Sequence, residues 1–401
     1  MEYEIFSEKT KVPIFSWCSD IGNTALEQAE NVSNLFFAFH HIALMPDCHP
    51  GFGMPIGCVA GFKDFIVPNA VGVDIGCGMG AVRTDISADS LNQENIKLLF
   101  SQIEKKVPTG FDTQGSKQKW DGFDNFFNNF KSGKPGWLSK KIMDRAEKSL
   151  GTLGGGNHFI ELQKDEKDFV WLMLHSGSRN LGKTIADHYH RKALDYCKKN
   201  GIELSSEELA GLPSDSKPGK AYIRDMNFAL NFAAENRKRM MKVFKDCVAS
   251  LFNSNFTMEI NIHHNYASYE RHFNTDLYVH RKGATSAKQN EKGIIPGSMG
   301  TPSYIVEGLG EKNSFMSCSH GAGRKMGRNQ ACRNLDISKC ENDMKGIFHK
   351  KFPEIKKGKL KGKFDVSEAP GAYKNIDEVI NSQKDLVKIL FKLFPLGSLK
   401  G

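Results

Sequence analysis

A short stretch of nearly bare backbone, VGVDIGCGM at residues 71–79, constrains the fold of this chain more than any other segment. It places Asp74 and Cys77 three residues apart, with Gly76 and Gly78 on either side of the cysteine. Glycine has no Cβ atom, so this backbone can adopt left-handed angles and be approached closely by other segments. The two side chains can therefore converge on one point. A plain alternative is a glycine-rich turn around a buried thiol, because a free cysteine behaves as a small hydrophobic residue.

The composition indicates a globular protein, and the cytoplasm is the expected compartment. The 401 residues suffice for one large domain or two ordinary ones, and the 39% that are hydrophobic can fill a core. The chain has no apolar run of about 18 residues, so no membrane span is predicted. Its polar beginning, MEYEIFSEKT, lacks the apolar segment of a secretion signal. The nine cysteines are expected to stay reduced, and since none forms a C-x-x-C pair, a zinc ribbon or thioredoxin-type site is not indicated.

The charge of the chain is compatible with a polyanionic partner. Its formal net charge is +9, a modest basic excess. Lysines concentrate in the run HKKFPEIKKGKLKGKF at residues 349–364. Two interpretations of this run stay open: a solvated, lysine-rich loop, or a surface that binds a phosphate backbone.

Apolar patterns predict both strands and helices. Short apolar runs at 41–45, 169–175 and 303–310 predict β-strands that end close to polar residues, where functional groups are often held. Apolar residues at three- and four-residue steps predict a long helix from about Arg224 to Phe252. A second helix is predicted over Thr184 to Lys199.

No internal repeat and no clear linker divides the sequence. It therefore predicts an α+β fold in a single domain, residues 1–401, with inserted helices. Residues 110–150 begin with a stretch rich in Lys, Asn, Phe and Gly, and residues 200–220 form a polar connection with two prolines. Both regions are expected to be peripheral insertions or loops.

Histidines follow glycine runs or apolar strands in three other segments. They are His158 in GTLGGGNHFIEL, His175 in LMLHSGSRNLG, and the pair His263 and His264 in EINIHHNYA. A lone histidine at a strand end is more often a hydrogen-bonded core residue than a metal ligand. Together, however, thiolate, imidazole and carboxylate suit a borderline divalent ion such as zinc or manganese. A thiolate can bridge two ions, and two ions about 4 Å apart would hold the attacking and leaving oxygens of phosphoryl or nucleotidyl transfer.

Two later segments have features of an anion site. GIIPGSMGTPSYIVEG, residues 293–308, is expected to expose backbone N–H groups that favour anions, although two turns around a short strand would give the same pattern. SCSHGAGR, residues 317–324, places Arg324 four residues after His320. An imidazole beside an arginine suggests a nucleophile next to a phosphate-binding group. A further metal ligand is the alternative role for His320.

Taken together, these motifs resemble the RtcB-type RNA-splicing ligases. That family joins RNA 3′-phosphate or 2′,3′-cyclic phosphate ends to 5′-hydroxyl ends with GTP and manganese. The matching segments run in family order from about residue 41 to Gly401 and are MPDCHPGFGMPIG, VGVDIGCGM, GTLGGGNHFIE, LHSGSR, HHNY, HRKGAT, IIPGSMG, SCSHGAGR, EAPGAYKNID and the terminal LKG. The set is specific, although no single motif is. The resemblance implies β-sheets around a central cleft that contains the metal.

The resemblance also implies a role for each motif residue. His320 would be the histidine that becomes guanylylated. The ligands of two manganese ions would be Asp74, Cys77, His158, His175 and His264. The residues that bind GTP would be Asn157, Glu161, Ser298, Thr301, Ser303, Gly321, Gly323, Arg324, Tyr373 and Lys400. Those that hold RNA would be Arg179, Arg281 and Lys282.

Four residues depart from the commonest wording of the family. They are Cys48 and Pro50 in MPDCHPG, Asn180 after LHSGSR, and Pro302 in GTPS. None removes a proposed metal ligand or the nucleophile. They bear on substrate preference more than on the chemistry.

The activity implied is that of a GTP- and manganese-dependent RNA ligase in tRNA splicing or RNA repair. A histidine–GMP intermediate would pass GMP to an RNA 3′-phosphate, giving an RNA–ppG end that a 5′-hydroxyl attacks. Two alternatives are a metal-dependent phosphodiesterase without covalent GMP, and an RNA-binding or capping protein that has lost ligation. The expected partner is RNA with these ends, and the need for an archease-type activator stays open. The chain is expected to be a monomer.

Overall fold

The computed structural model describes residues 3–5, 10–128, 130 and 134–401, and it confirms the predicted α+β class. Within these residues the chain forms ten α-helices and eighteen β-strands. The helices are α1 (Asn23–Ser33), α2 (Pro68–Val71), α3 (Gln93–Lys106), α4 (Asp121–Asn128), α5 (Lys140–Ser149), α6 (Asn180–Lys199), α7 (Lys217–Ala249), α8 (Arg328–Asn334), α9 (Ile337–Asp343) and α10 (Ile376–Asn381).

The strands are distributed along the whole chain. They are β1 (Tyr3–Ile5), β2 (Ile14–Ser16), β3 (Ala38–His49), β4 (Ile56–Phe62), β5 (Phe65–Ile66), β6 (Gly78–Ser87), β7 (Phe159–Asp165), β8 (Phe169–Ser176), β9 (Leu212–Pro213), β10 (Phe256–His263), β11 (Asn265–His272), β12 (Thr275–Lys282), β13 (Ala284–Ser286), β14 (Lys292–Ile295), β15 (Ser303–Gly308), β16 (Ser317–Ser319), β17 (Phe348–His349) and β18 (Val387–Lys400). The three predicted strands are confirmed as parts of β3, β8 and β15.

Two sheets contain most of the strands. The first has the order β1-β2-β3-β4-β12-β11 and is antiparallel except for the parallel pair β2–β3. The second has the order β10-β6-β8-β7-β18-β15-β14, antiparallel along this path, with β17 parallel to β18. The last strand, β18, thus lies between β7 and β15 inside the second sheet. The end of the chain is therefore part of the core of the fold.

Both predicted helices are confirmed, but each begins earlier than expected. Helix α6 begins at Asn180 and α7 at Lys217. In α7, Pro218 stands in the first turn, where its missing N–H removes no helical hydrogen bond. The Ser216 hydroxyl oxygen accepts a hydrogen bond from the Gly219 backbone N–H at 3.1 Å and caps this helix. Only the last four residues of the polar, proline-containing segment 200–220 therefore belong to an α-helix.

The two regions expected to be peripheral take part in the interior. Residues 110–150 form α4 and α5, and residues 200–220 contain β9 and the start of α7. Their buried side chains pack with those of α6 and α7 in one hydrophobic cluster. Those contributed by 110–150 are Phe123, Phe126, Trp137, Leu138, Met143, Ala146 and Leu150. Aromatic residues within the polar sequence of 110–150 supply core contacts, whereas most of 200–216 is loop.

Helix α7 connects the helical layer to the second sheet. Phe228 and Phe232 near its start belong to the cluster formed with α4, α5 and α6. Met240 and Phe244, further along, pack against β6, β7 and β8. Arg237 lies between these two groups and is 1% exposed. The helix therefore carries a buried cation to the edge of the second sheet, where the candidate site lies.

Across the part of the chain that the structure describes, no helix combines the length and the apolar character that crossing a bilayer requires.

Candidate functional site: a Cys–His–Asp cluster between two cavities

The loop between α2 and β6 carries Asp74 and Cys77, and its glycines permit very close packing. Gly76 has a φ of 77°, in the region that favours glycine. A Cβ atom on this residue would lie 2.8 Å from a side chain of α7. A Cβ atom on Gly78 would collide with the backbone oxygen of Ile262 in β10. The loop can therefore lie between α7 and β10 only because both positions lack side chains.

Three histidines from separate segments surround Cys77. His158 directly precedes β7, His175 lies near the end of β8, and His264 lies between β10 and β11. The Cys77 Sγ atom is 3.1 Å from His175 Nε2 and 3.5 Å from His158 Nε2. Asp74 Oδ2 is 3.2 Å from His158 Nε2, and His264 Nε2 is 3.3 Å from His175 Nε2. Cys77 thus lies between an Asp74–His158 pair and a His175–His264 pair.

This donor set fits divalent metal ions. The Nδ1–H of His175 donates to the backbone oxygen of Asn157 at 3.0 Å, so the lone pair on Nε2 faces the cluster. Metal-binding histidines are commonly oriented by such a hydrogen bond from the other ring nitrogen. Among the described residues, ligand atoms of Cys77, His158 and His175 all lie within 4.8 Å of one another. The Cys77 sulfur therefore lies within reach of donors from both pairs.

Burial favours the neutral forms of the Cys77 thiol and of two of the histidines. It raises the pKa of the Cys77 thiol well above its ordinary value, and Asp74 adds to this rise. It also lowers the pKa values of His175 and His264 well below theirs. Neutral imidazoles are ready to act as ligands, whereas the thiol has to lose its proton before it binds a metal ion.

Arg237 supports this loop from α7 and explains which histidine of the HHN pair joins the cluster. Its Nη1 donates to the backbone oxygens of Gly76 at 2.8 Å and Ser176 at 3.0 Å. Burial lowers the pKa of Arg237 to about 10, and the cation in turn opposes the pKa rise of the Cys77 thiol. Its Nη2 lies 3.0 Å from His263 Nδ1. His263 therefore contacts the arginine, and His264 faces the cluster.

His320 lies beside the cluster with its imidazole fixed by Asp47. The ring centroids of His320 and His264 are 4.8 Å apart. His320 Nδ1 is 2.6 Å from Asp47 Oδ2, and that oxygen also accepts from the backbone N–H groups of His320 at 3.1 Å and Gly321 at 3.2 Å. A proton on Nδ1 held by a carboxylate leaves the lone pair on Nε2. This is the form of imidazole that acts as a nucleophile.

A cavity of about 590 Å³ adjoins His320. This volume lies within the range of small-molecule sites. Residues predicted to bind GTP contribute to its wall together with the proposed nucleophile. They are Asn157, Ser298, Gly321, Gly323, Arg324, Tyr373 and Lys400.

The polar wall of this cavity is organised around Glu368. Its carboxylate accepts hydrogen bonds from Arg324 Nη1 at 3.1 Å, from Arg328 Nε at 2.9 Å and from the Tyr373 hydroxyl. Lys400 Nζ lies 3.9 Å from the same carboxylate and 4.8 Å from the ring centroid of Phe159. Although burial opposes ionisation, these partners hold the pKa of Glu368 below its ordinary value. The wall therefore presents two guanidinium groups and one ammonium group fixed by a single carboxylate.

Glu161 and Ser303 lie behind this wall instead of lining it. Glu161 is 2% exposed, and it accepts hydrogen bonds from Ser398 Oγ at 3.0 Å and Gln163 Nε2 at 2.9 Å. Gln163 Nε2 also donates to Ser303 Oγ at 3.1 Å. Burial raises the pKa of Glu161 to about 7, and the nearby Lys400 opposes this rise.

The segment 293–308 differs from the expected row of open backbone N–H groups. The Ser298 N–H donates to Thr301 Oγ1 at 2.7 Å, and the Gly297 N–H donates to Ser303 Oγ at 3.2 Å. These two amides thus have partners within the turn. Thr301 fixes the turn, and Ser298 is left on the cavity wall.

A second cavity, of about 370 Å³, lies on the other side of His320 and shares Ile56 and Asn157 with the first. Its wall also contains four residues predicted to bind metal or RNA, namely Asp74, Cys77, His264 and Lys282. Lys282 Nζ donates to the backbone oxygens of Asn69 at 3.1 Å and of Phe52. Burial lowers the pKa of Lys282 to about 8. The cluster and His320 therefore form the boundary between two cavities.

The two arginines predicted to hold RNA lie in different surroundings. Arg179 Nη2 donates to the backbone oxygen of Gly110 at 2.8 Å, and the guanidinium packs beside Gly154 and His158. Arg281 is fully buried and pairs with Glu270 at 2.5 Å in the interior beside the first sheet. Arg281 lines neither of the two cavities. The structure thus brings Arg179 to the cluster and gives Arg281 a buried structural contact.

Three residues of the site were missed in the sequence. Asp47 was visible as a carboxylate inside the apolar strand HIALMPDCH, and a charge in such a strand is itself a signal. Glu368 stood in the recognised segment EAPGAYKNID without an assigned role. Nothing in the sequence indicated that Arg237 is buried, because in the helical run NRKRM it resembles a solvent-exposed residue.

Comparison with known proteins gives a consistent result over almost the whole chain. The family model described as tRNA-splicing ligase RtcB matches residues 28–401. The RNA-splicing ligase RtcB of Escherichia coli (strain K12) is 38% identical over 424 residues, which cover 100% of both chains. The tRNA-splicing ligase RtcB of Nanoarchaeum equitans is 32% identical, covering 98% of this chain and 96% of its own. That of Thermococcus kodakarensis is 31% identical, covering 94% and 91%.

Proposed function

The chain belongs to the RtcB family of RNA ligases, and on that premise we propose that it seals RNA with GTP through a histidine–GMP intermediate. The ends joined are an RNA 3′-phosphate or 2′,3′-cyclic phosphate and a 5′-hydroxyl. The proposed physiological setting is tRNA splicing or the repair of cleaved RNA, and the names of the relatives refer to splicing.

One observation carries the proposal: His320 lines both cavities, with its Nδ1 atom on Asp47. A nucleophile at this boundary can accept a group from a nucleotide on one side and release it to RNA on the other. The phosphodiesterase alternative would use the same imidazole as a general base on water, and it requires no cavity for a nucleotide on the far side of His320. The position of His320 therefore supports group transfer through the protein.

The first step forms a bond between His320 Nε2 and the α-phosphorus of GTP. The bond between the α-phosphorus and its bridging oxygen breaks, and pyrophosphate leaves with the electron pair. The positive charge that develops on the imidazole is stabilised by Asp47, which keeps the Nδ1 proton in place. Arg324 offsets negative charge on the nucleotide side of the site.

The second and third steps move GMP to RNA and then release it. An oxygen of the RNA 3′-phosphate attacks the phosphorus on His320, the N–P bond breaks, and an RNA–ppG end forms. The 5′-hydroxyl then loses its proton and attacks the RNA phosphorus, so that GMP leaves and a 3′,5′-phosphodiester remains. A cyclic phosphate has to be opened by water before the sequence begins.

The proposed cofactors are two manganese ions, held by Asp74, Cys77, His158, His175 and His264. When bound, such ions lower the charge of phosphate groups and the pKa of an attacking hydroxyl. The residues of the site orient the ligands: Asn157 fixes the ring of His175, and Arg237 holds the loop of Cys77. The donor set accepts either manganese or zinc, so the choice of manganese is itself part of the proposal.

The proposal is tested by incubating the protein with manganese and GTP labelled at its α-phosphate, followed by denaturing electrophoresis. Wild-type protein should retain label, and His320→Ala should retain none. The same variant should still seal a pre-made RNA–ppG end, because that step needs no new adduct. His188→Ala, on α6, provides a matched histidine control that should label normally. Labelling of His320→Ala at the wild-type level would refute the assigned nucleophile, and unlabelled wild-type protein would refute the intermediate.

A further inference from the structure

The lysine-rich run of the sequence forms an ordered hairpin, which we call the basic hairpin (residues 350–364). The Ile355 N–H donates to the Lys363 carbonyl oxygen at 2.8 Å, and the Gly362 N–H donates to the Ile355 carbonyl oxygen at 3.0 Å. The Asp365 N–H donates to the Pro353 carbonyl oxygen at 2.8 Å and closes its base. The lysines therefore project from a defined turn of backbone.

The basic hairpin holds most of the excess charge of the protein. Seven lysines less one glutamate give it a net charge of +6, against +9 for the whole chain. All seven lysines are exposed. In the described part of the chain, Lys350 is the member of this set found in an ion pair, with Glu104 at 2.7 Å. The other six ammonium groups are thus available to an anionic partner.

Both ends of the basic hairpin are attached to the wall of the cavity of about 590 Å³ beside His320, which we call the nucleotide cavity. Phe352, inside the hairpin, packs in one cluster with Met299, which lines that cavity. His349, just before the hairpin, pairs with Ser398, two residues from Lys400. Glu368, which holds Arg324 and Arg328, follows the hairpin by four residues. The basic hairpin is therefore attached to the nucleotide cavity, whose wall includes His320, the residue that has to meet the RNA end.

We propose that the basic hairpin binds the phosphodiester backbone of the RNA strand whose end lies in the site. This inference rests on the proposed function, which supplies RNA as the substrate. Lysines are flexible point charges that suit phosphates without reading sequence. Phe364, which is 41% exposed at the base of the hairpin, adds an aromatic surface on which a base can stack. The chemistry recognised is a row of phosphates, so the hairpin increases affinity and not sequence preference.

The test is the salt dependence of RNA binding, measured with and without the lysines. A fluorescent single-stranded RNA of about 20 nucleotides with a 3′-phosphate is titrated with full-length protein in manganese without GTP, over a series of salt concentrations. In the test variant Lys356, Lys357, Lys359 and Lys361 are replaced by alanine. Removing one lysine–phosphate ion pair should make the slope of log K against log salt shallower by about 0.7, so a total change of about one to three is expected. The dissociation constant near 0.15 M salt should rise on the order of tenfold.

Two control proteins separate local binding by the hairpin from a general loss of charge. The first replaces four other exposed lysines by alanine and changes the net charge equally; they are Lys192, Lys198, Lys199 and Lys220, on α6 and at the start of α7. It should bind RNA with the wild-type slope. The second replaces the four hairpin lysines by arginine and should keep both slope and affinity, because the charge is retained.

RNA binding by the hairpin and the ligase mechanism are tested by separate measurements. Weaker binding with a shallower slope in the hairpin variant alone supports the proposal. Wild-type binding by that variant, or an equal loss of affinity in the α6 control, overturns it and leaves the hairpin as a solvated loop or a surface for another kind of partner. Formation of the GMP adduct is measured on the same proteins. Its absence in wild type would refute the proposed function without changing the conclusion about RNA binding.

Discussion

His320 Nδ1 and Asp47 Oδ2 lie 2.6 Å apart, although 273 residues separate them in the chain. Asp47 is fully buried in β3, and the side chain of His320 is 16% exposed. The carboxylate therefore determines which nitrogen of the imidazole carries the proton and which faces the cavities. Asp47 is a positioning residue in this arrangement, since it acts on the substrate through His320.

The first prediction concerns this pair. Asp47→Asn should slow the formation of the GMP adduct by about a hundredfold or more, because an amide neither fixes the required tautomer nor stabilises the cation that forms on attack. Sealing of a pre-made RNA–ppG end should stay close to the wild-type rate, since that step does not use His320. The measurement is the rate of each step with labelled GTP and labelled RNA–ppG. A variant that loses both steps together would indicate a purely structural role for Asp47.

The second prediction concerns the central position of Cys77. Cys77→Ser replaces a soft thiolate with a hydroxyl that stays protonated near neutral pH, so bound manganese should fall below that of the wild type. Metal content is measured by mass spectrometry on dialysed protein, and adduct formation and sealing should both be lost. Cys197→Ser is the matched control, because Cys197 is a buried thiol on α6 that contacts the backbone oxygen of Gly211. Full metal content and near-normal ligation in Cys77→Ser would argue against a bridging sulfur.

Local features of the sequence predicted the parts of the site that depend on backbone geometry. The glycines around Cys77 indicated close approach, His158 followed a run of glycines, and the structure brings both residues into one cluster. Glycine can be recognised in this way because the conformations it permits are local. The fold class was accessible for the same reason, since strand and helix patterns are local as well.

Contacts between distant segments could not be predicted from local patterns. Ser398 and Glu161 form a hydrogen bond across 237 residues, because β18 lies between β7 and β15. In the sequence, β18 is an apolar run near residue 390, and such a run does not indicate which strands it will pair with. Arg237 is a similar case: its role follows from the loop that covers it, and nothing in its own helix indicates burial.

The third prediction concerns Lys400, which the family resemblance places on the guanine base. Lys400→Met keeps an unbranched side chain beside Phe159 but removes the ammonium group that would donate to the O6 and N7 acceptors of guanine. The loss of one charged hydrogen bond should cost about 1.5–3 kcal/mol, so the GTP concentration for half-maximal adduct formation should rise about ten- to a hundredfold. The preference for GTP over ATP should narrow, because adenine presents an amino donor in place of O6.

Lys392→Met is the control for this measurement. Lys392 lies on the same strand, pairs with Asp377 at 3.0 Å and sits 5.5 Å from the ring centroid of Tyr304, but it does not line the nucleotide cavity. The Lys392→Met variant should form the adduct at the same GTP concentration as the wild type. If Lys400→Met also behaves as wild type and still rejects ATP, guanine recognition has to come from other residues of the cavity.

The last prediction concerns pH and Glu161. Burial raises the pKa of Glu161 to about 7, from an ordinary value of 4.5. Because the folded chain holds this proton more tightly than the unfolded chain, the contribution to stability is fully present below about pH 4.5 and is lost as the pH rises through about 7. Glutamine does not titrate, so the Glu161→Gln variant does not lose this contribution. Between pH 5 and pH 8 the free energy of unfolding of the variant, relative to that of the wild type, should increase by on the order of 1–3 kcal/mol. Urea unfolding at several pH values measures this difference, with the exposed Glu207→Gln as the baseline. A difference between Glu161→Gln and wild type that does not change with pH would show that Glu161 is already ionised at pH 5, held by Lys400 and its two hydrogen-bond donors.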